Sequence, residues 1–132
     1  MMGSYPHPPN FYGLNTIEFI NIFVKDGLPE KMDKKTKTNS KLDKNDWREY
    51  ISSIWKFPPE HDRAHPAPFP VELPLRLIKL FSFTGDIILD PFIGSGTTAL
   101  AAKMVKRHFL GYELNKNYIK LGKKRLKQYQ SD

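Results

Sequence analysis

Residues 86–98, Asp86-Ile87-Ile88-Leu89-Asp90-Pro91-Phe92-Ile93-Gly94-Ser95-Gly96-Thr97-Thr98, decide the architecture, because an apolar run ends there on an acid and breaks into a glycine-rich turn. The order reads as strand, turn, helix. Ile87, Ile88 and Leu89 make the continuous apolar run of a parallel strand covered on both faces, so a strand is expected over 86–89. Pro91 has no N–H to continue a ladder. Gly94 and Gly96 open torsions closed to other residues and keep Cβ atoms out of the way of a ligand approaching the backbone. Ser95 or Thr97 is expected to cap a helix over 98–106, with Leu100, Ala101, Met104 and Val105 on its buried face. Residues 107–112 then read as a second apolar strand, with Glu113 at its tip.

A glycine turn after one strand and an acid at the tip of the next is the arrangement that holds a nucleoside-bearing cofactor, the acid taking the ribose hydroxyls. Gly94 and Glu113 are 19 residues apart, near the ~20 of that arrangement. Two cofactors fit at this point. Gly94-Ser95-Gly96-Thr97-Thr98-Ala99 also has the G-x-G-x-x-A form of a nicotinamide dinucleotide site, and a Gly-Ser-Gly segment can equally be a tight connection with no ligand.

With 132 residues the chain has room for one domain of modest core. Its 39% hydrophobic and 13% aromatic content is that of a folded chain. No apolar run approaches the ~20 residues of a membrane span and no leader pattern opens the sequence, so a cytoplasmic protein is expected. The lack of Cys excludes a disulfide framework and thiolate metal ligands. Lys and Arg number 21 against 14 Asp and Glu, for a net charge of +7, a balance that favours polyanionic partners. Residues 103–132 hold nine basic residues and two acids, so the whole excess lies there. It is either a solvated helix face or a nucleic-acid contact.

Residues 3–10 are too rich in Pro for regular structure. Residues 17–25 are almost all apolar, β-branched or aromatic and read as a buried strand, closed by the Asp26-Gly27 turn. Residues 28–46 have only Leu28, Met32 and Leu42 as sizeable apolar groups, so they read as a loop or mobile insert. Asp46-Trp47-Arg48-Glu49 has the form of a capping box and starts a helix carrying Trp47, Tyr50, Ile51 and Ile54, which ends by Phe57-Pro58-Pro59. His61 and His65 have no third strong ligand nearby, and no metal site is expected. His65-Pro66-Ala67-Pro68-Phe69-Pro70 is a stiff extended piece leading into a helix over 71–81, with Pro74 in its first turn and Leu73, Leu77, Ile78 and Phe81 facing inward. A last helix over 117–130 places Tyr118, Gly122, Leu126 and Tyr129 on one side and most of its basic residues on the other.

Asp90-Pro91-Phe92-Ile93-Gly94-Ser95-Gly96-Thr97-Thr98, preceded by His65-Pro66-Ala67-Pro68-Phe69-Pro70, closely resembles the amino-group DNA methyltransferases of restriction-modification systems. The resemblance extends to residues 3–6 with the strand expected over 18–25 and to the Trp55 stretch before His65, and so covers nearly the whole chain. It implies an α/β fold, a partial Rossmann-like S-adenosylmethionine-dependent methyltransferase with a mostly parallel sheet and flanking helices, incomplete without its catalytic strands. Residues 1–132 would be one partial domain, with 65–113 as the cofactor-binding core. By the same resemblance Asp90, Pro91, Phe92, Gly94, Ser95, Gly96 and Thr97 would line the methionine pocket of S-adenosyl-L-methionine, and Glu113 would hold the ribose. His65, Pro66 and Phe69 would belong to a segment closing over the cofactor. The order along the chain resembles the permuted branch, in which catalytic strands precede the cofactor strand. A dinucleotide domain would need further strands after Glu113.

One departure bears on activity. The family holds its target amine with a polar residue followed by Pro-Pro and an aromatic residue, and neither Pro8-Pro9 nor Pro58-Pro59 has those neighbours. No catalytic residue is assigned. The resemblance implies double-stranded DNA as a partner, with methylation at adenine N6 or cytosine N4, and a second chain or further N-terminal segment carrying the motif. The alternative is a non-catalytic DNA-binding or regulatory remnant. Lys120, Lys123, Lys124 and Lys127 are the candidate DNA contacts in the last helix.

Overall fold

The computed structural model describes residues 17–28, 31–58 and 69–129. The chain divides into two compact units, residues 1–30 and 31–132. In the first, residues 17–25 lie outside any helix or strand and are exposed. The strand expected there is not seen among the described residues, whose sheet has two members, both in the second unit.

The second unit runs α1 Lys34–Asn39, α2 Lys44–Tyr50, α3 Glu72–Phe81, β1 Ile87–Asp90, α4 Thr97–Met104, β2 His108–Gly111 and α5 Lys116–Gln128. The segment 28–46 read as a loop thus holds α1 and the first residues of α2, the helix expected to start at Asp46. Both begin on an aspartate. Asp33 accepts from Lys35 and Thr36 N–H at 2.8 and 3.0 Å, and Asp43 from Asn45 and Asp46 N–H at 2.7 and 2.9 Å, which satisfies donors that a helix start otherwise leaves open. The cap of α2 is therefore Asp43, not Asp46, and the helix ends at Tyr50, well before Phe57. Glu49 is free of a capping role and pairs with Arg76.

Arg76 is the buried centre of the α2–α3 contact. It is 8% exposed, held by Glu49 and, at 2.8 Å, by Glu72, and its guanidinium faces the Tyr50, Trp55 and Phe57 rings at 5.0, 5.7 and 5.1 Å. A planar, weakly hydrated cation tolerates such a place better than a lysine would. Burial works to lower its pKa, but the carboxylates of Glu72 and Glu49 outweigh it and hold Arg76 above its ordinary value. Pro74 lies in the first turn of α3, as expected, and with Leu75 and Ile78 it is buried, whereas Phe81 is exposed. The inward face is thus rotated from the one expected.

β1 and β2 are parallel, in register Ile87 with His108, Ile88 with Phe109, Leu89 with Leu110 and Asp90 with Gly111. α4 connects them in the βαβ manner that parallel strands require. Its buried residues are the small Thr97, Ala99, Ala101 and Ala102, so the helix packs through alanines; Met104, expected inside, is exposed. Leu75, Ile78, Ala101 and Ala102 form the core, with Val71, Ile88 and Val105 against it. Arg107, buried at the start of β2, donates to Ser82 O at 2.8 Å and to Ser82 Oγ at 3.2 Å, tying the α3–β1 loop to the strand. Burial pulls its pKa below the ordinary arginine value, against the opposing charge of Asp86.

Candidate functional site

The two acids singled out in the sequence stand at the carboxyl ends of adjacent parallel strands, the edge of an open α/β sheet where ligands bind. Asp90 closes β1, and Glu113 follows β2 by two residues. The backbone keeps these ends together: Tyr112 N–H donates to Asp90 O at 3.1 Å, and Ile93 N–H returns to Tyr112 O at 3.0 Å. Ile93 then packs over Gly111, where a Cβ would lie 2.2 Å from Ile93 Cδ1. Only glycine fits at the end of β2.

Asp90 shapes the turn after it by accepting the Phe92 N–H at 2.9 Å on Oδ1, an Asx turn. Phe92 is pushed out and is 88% exposed. Gly94 and Gly96 have φ of 52° and 85°, the left-handed region that glycine enters without penalty. Gly96 is itself the N-cap of α4 and offers no side chain, so no side-chain cap covers the first N–H groups of that helix. The expected cap by Ser95 or Thr97 is therefore corrected. Both residues are buried, and their hydroxyls accept from Arg125 of α5 at 3.1 and 3.2 Å. The pattern of glycines and acids gives no sign of a cation bonded to these hydroxyls, although Arg125 lies three residues after Gly122 and so on the same helix face.

Glu113 accepts the Asn115 N–H at 2.7 Å through Oε1, which orients the carboxylate at the tip of β2 and leaves Oε2 without a partner among the described residues. Asn115 in turn caps α5 through its own side chain, accepting from Asn117 N–H at 2.9 Å. α5 then lies along α4. Gly122 packs on Ser95 and Gly96, and Lys103 of α4 donates to Leu126 O and Tyr129 O at 3.1 and 2.9 Å, satisfying the carbonyls at the end of α5. The lysines of this helix singled out above, Lys120, Lys123, Lys124 and Lys127, are exposed.

Of the remaining residues named from the sequence, Phe69 is partly exposed ahead of α3, and His65 and Pro66 lie outside the described residues. A cavity of ≈ 590 Å³ between the α1–α2 connection and the end of α3 is lined by Lys41, Trp47, Lys79 and Phe81 among others. It shares no residue with the glycine turn. Among the described residues no group of His, Asp and Glu could hold a metal, and no helix is long and apolar enough to cross a membrane.

The chain is similar to known proteins. The type II methyltransferase M.MjaI of Methanocaldococcus jannaschii is 40% identical over 124 residues, covering 88% of the chain and 40% of that protein. M.MthZI of Methanothermobacter thermautotrophicus, also a type II methyltransferase, is 36% identical over 141 residues, covering 96% and 39%. Among solved structures, TTHA0409 of Thermus thermophilus, designated a putative DNA modification methylase and complexed with S-adenosyl-L-methionine, superposes with a TM-score of 0.66 at 40% identity, over 76% of the chain and 39% of its own length. The fold is thus the α/β, Rossmann-like fold of these enzymes, in part: the chain spans about two fifths of the length of the relatives it matches. The family model described as DNA methylase matches residues 1–124, and the chain belongs to that family.

Proposed function

We propose that this chain is the S-adenosylmethionine-binding part of a DNA methyltransferase that acts on the exocyclic amine of adenine or cytosine, as in a restriction-modification system. The observation that carries this reading is the pairing of an uncapped glycine turn after β1 with Glu113 after β2, at one edge of a parallel sheet. The turn would take the amino-acid end of the cofactor, since its glycines leave the backbone open and the first N–H groups of α4 attract an anion. Glu113 would take the ribose hydroxyls through its unpartnered oxygen, and Asp90 would hold the turn in shape. When bound, the cofactor supplies an electrophilic methyl group.

The polar-Pro-Pro-aromatic motif that would receive the target amine is not in this sequence. In this reading it comes from a second chain or a further N-terminal segment, so that the catalytic strands precede the cofactor strand in the permuted order. Duplex DNA would meet the exposed Lys120, Lys123, Lys124 and Lys127. Calorimetry with S-adenosylmethionine and, separately, NAD tests the cofactor. Binding of the first is expected, and preferential binding of NAD would overturn the reading.

A further inference from the structure

Arg125 is the basic residue of α5 that its neighbours do not resemble. Lys116, Lys120, Lys123, Lys124 and Lys127 are exposed, whereas Arg125 is partly buried against the glycine turn. Its Nη1 donates to Ser95 O at 3.3 Å, to Ser95 Oγ at 3.1 Å and to Thr97 Oγ1 at 3.2 Å. The approach depends on Gly122, whose missing side chain lets α5 lie on the backbone of Ser95 and Gly96. None of the ion pairs among the described residues includes Arg125.

By itself this is a poor place for a cation. The guanidinium lies at the N-terminus of α4, where the helix dipole is positive and a negative group is the favoured neighbour. The three acceptors are all neutral, so they orient the charge without neutralising it. Two positive features thus converge on the one turn, and an anion bound there would make both favourable.

We propose that Arg125 is a positioning residue for the amino-acid carboxylate of S-adenosylmethionine. It acts through Ser95 and Thr97: it fixes both hydroxyls and the Ser95 carbonyl, holds the turn with its N–H groups presented to the ligand, and adds positive potential at the start of α4. This rests on the cofactor reading given above and assigns to α5 a part in binding that the glycines and acids alone do not include.

The test is calorimetry on the full chain with two probes. S-adenosylmethionine carries the amino-acid carboxylate, and 5′-methylthioadenosine keeps the nucleoside and the S-methyl group, as a neutral thioether without the amino-acid arm. Arg125→Ala should weaken binding of the first about tenfold or more, the effect of losing charge-assisted bonds, and change binding of the second by no more than about twofold. Arg125→Lys, which keeps the charge but not the fork, should recover part of the loss. Arg125→Gln, which keeps an N–H donor, serves where the alanine variant does not fold and should behave as the alanine variant does. An equal loss for both probes would mean that Arg125 only supports the fold, and unchanged binding of S-adenosylmethionine would mean that it does nothing for the ligand; either overturns the proposal alone. Failure of the unaltered chain to bind either probe would overturn the cofactor reading and this inference with it.

Discussion

Gly96 and Gly122 meet backbone to backbone: a Cβ on Gly96 would lie 3.3 Å from Gly122 Cα, and a Cβ on Gly122 would lie 3.2 Å from Ser95 O. Two effects oppose each other in Gly122→Ala. The helix interior gains about 1 kcal/mol of propensity, while the new methyl group pushes on backbone that cannot swing aside as a side chain could. The stability of the chain should therefore stay within about 1 kcal/mol of the parent in chemical denaturation. The affinity for S-adenosylmethionine should fall, because the displaced part is the turn itself. Tighter binding by Gly122→Ala would show that the α5–turn contact does not set the geometry of the site.

Glu113 gives a second prediction. Its Oε1 is engaged by Asn115 N–H and its other oxygen is open to a ligand, so Glu113→Ala should weaken S-adenosylmethionine by about 1–3 kcal/mol, the scale of a charge-assisted hydrogen bond. Glu113→Gln keeps the acceptor for Asn115 and should lose less. Equal affinity of the alanine variant and the parent in calorimetry would remove Glu113 from the site.

The part of the chain that was legible in the sequence is the part with strong local signals. An apolar run, a glycine turn and a terminal acid located β1, α4, β2 and Glu113 to within a residue or two. Elsewhere the deciding contact was tertiary. α1 has no buried residue and hence no apolar period to find; its sign was the Asp33 cap alone. Asp43 and Asp46 are both plausible helix starts by composition, and the N–H groups of Asn45 and Asp46 turned onto the Asp43 carboxylate separate them. Residues 17–25 have strand composition, but a strand is a property of a pair, and their composition cannot supply the neighbour. Arg125 enters the sequence reading only as one of nine basic residues in 103–132, although its place on the Gly122 face sets it apart.

A third prediction concerns pH. Burial works to lower the pKa of Lys79, but its 2.9 Å bond to Asp46 and the nearby Tyr50 outweigh this and hold it above the ordinary 10.5. Burial raises the Tyr50 phenol above the ordinary 10.0. Both groups keep their protons longer in the folded chain than in the unfolded one, so the stability they contribute is complete at neutral pH and is lost as pH rises through the folded values. Denaturation midpoints should decline above pH ~10. In Asp46→Asn the decline should be shallower, at a cost near neutral pH on the order of 0.5 kcal/mol for a partly exposed pair. An identical alkaline slope would mean that the Lys79–Asp46 bond carries no net energy.

The exposed lysines of α5 lead to a fourth. α5 contains no acid, so its outer face is uniformly positive and suited to a phosphate backbone. Replacing Lys120, Lys123, Lys124 and Lys127 by Gln should reduce the slope of log K for duplex DNA against log salt by about 0.9 for each phosphate that is no longer neutralised. A slope unchanged by all four substitutions would leave these residues as solvated surface.

The last prediction is that the chain by itself does not methylate DNA. A parallel sheet is stable when both faces are covered, and among the described residues one face is. Ile88 packs on the core beside α3 and α4, while its neighbours Ile87 and Leu89 point the other way and are 69% and 59% exposed. In register with Leu89, Leu110 is 49% exposed. This apolar face lies beside the cofactor edge, where strands bearing an acceptor for the target amine and helices covering the sheet would have to dock. A purified chain incubated with labelled S-adenosylmethionine and duplex DNA should transfer no label. Adding a polypeptide that carries the polar-Pro-Pro-aromatic motif should restore transfer and raise the sedimentation coefficient. Ile87→Glu, at an exposed position at the opposite end of β1 from Asp90, should leave the unfolding free energy of the chain within about 0.5 kcal/mol and block that restoration. Transfer by a monomer of the chain would place the catalytic residues within this sequence, and restoration undiminished by Ile87→Glu would mean that the open sheet face is not where the partner binds.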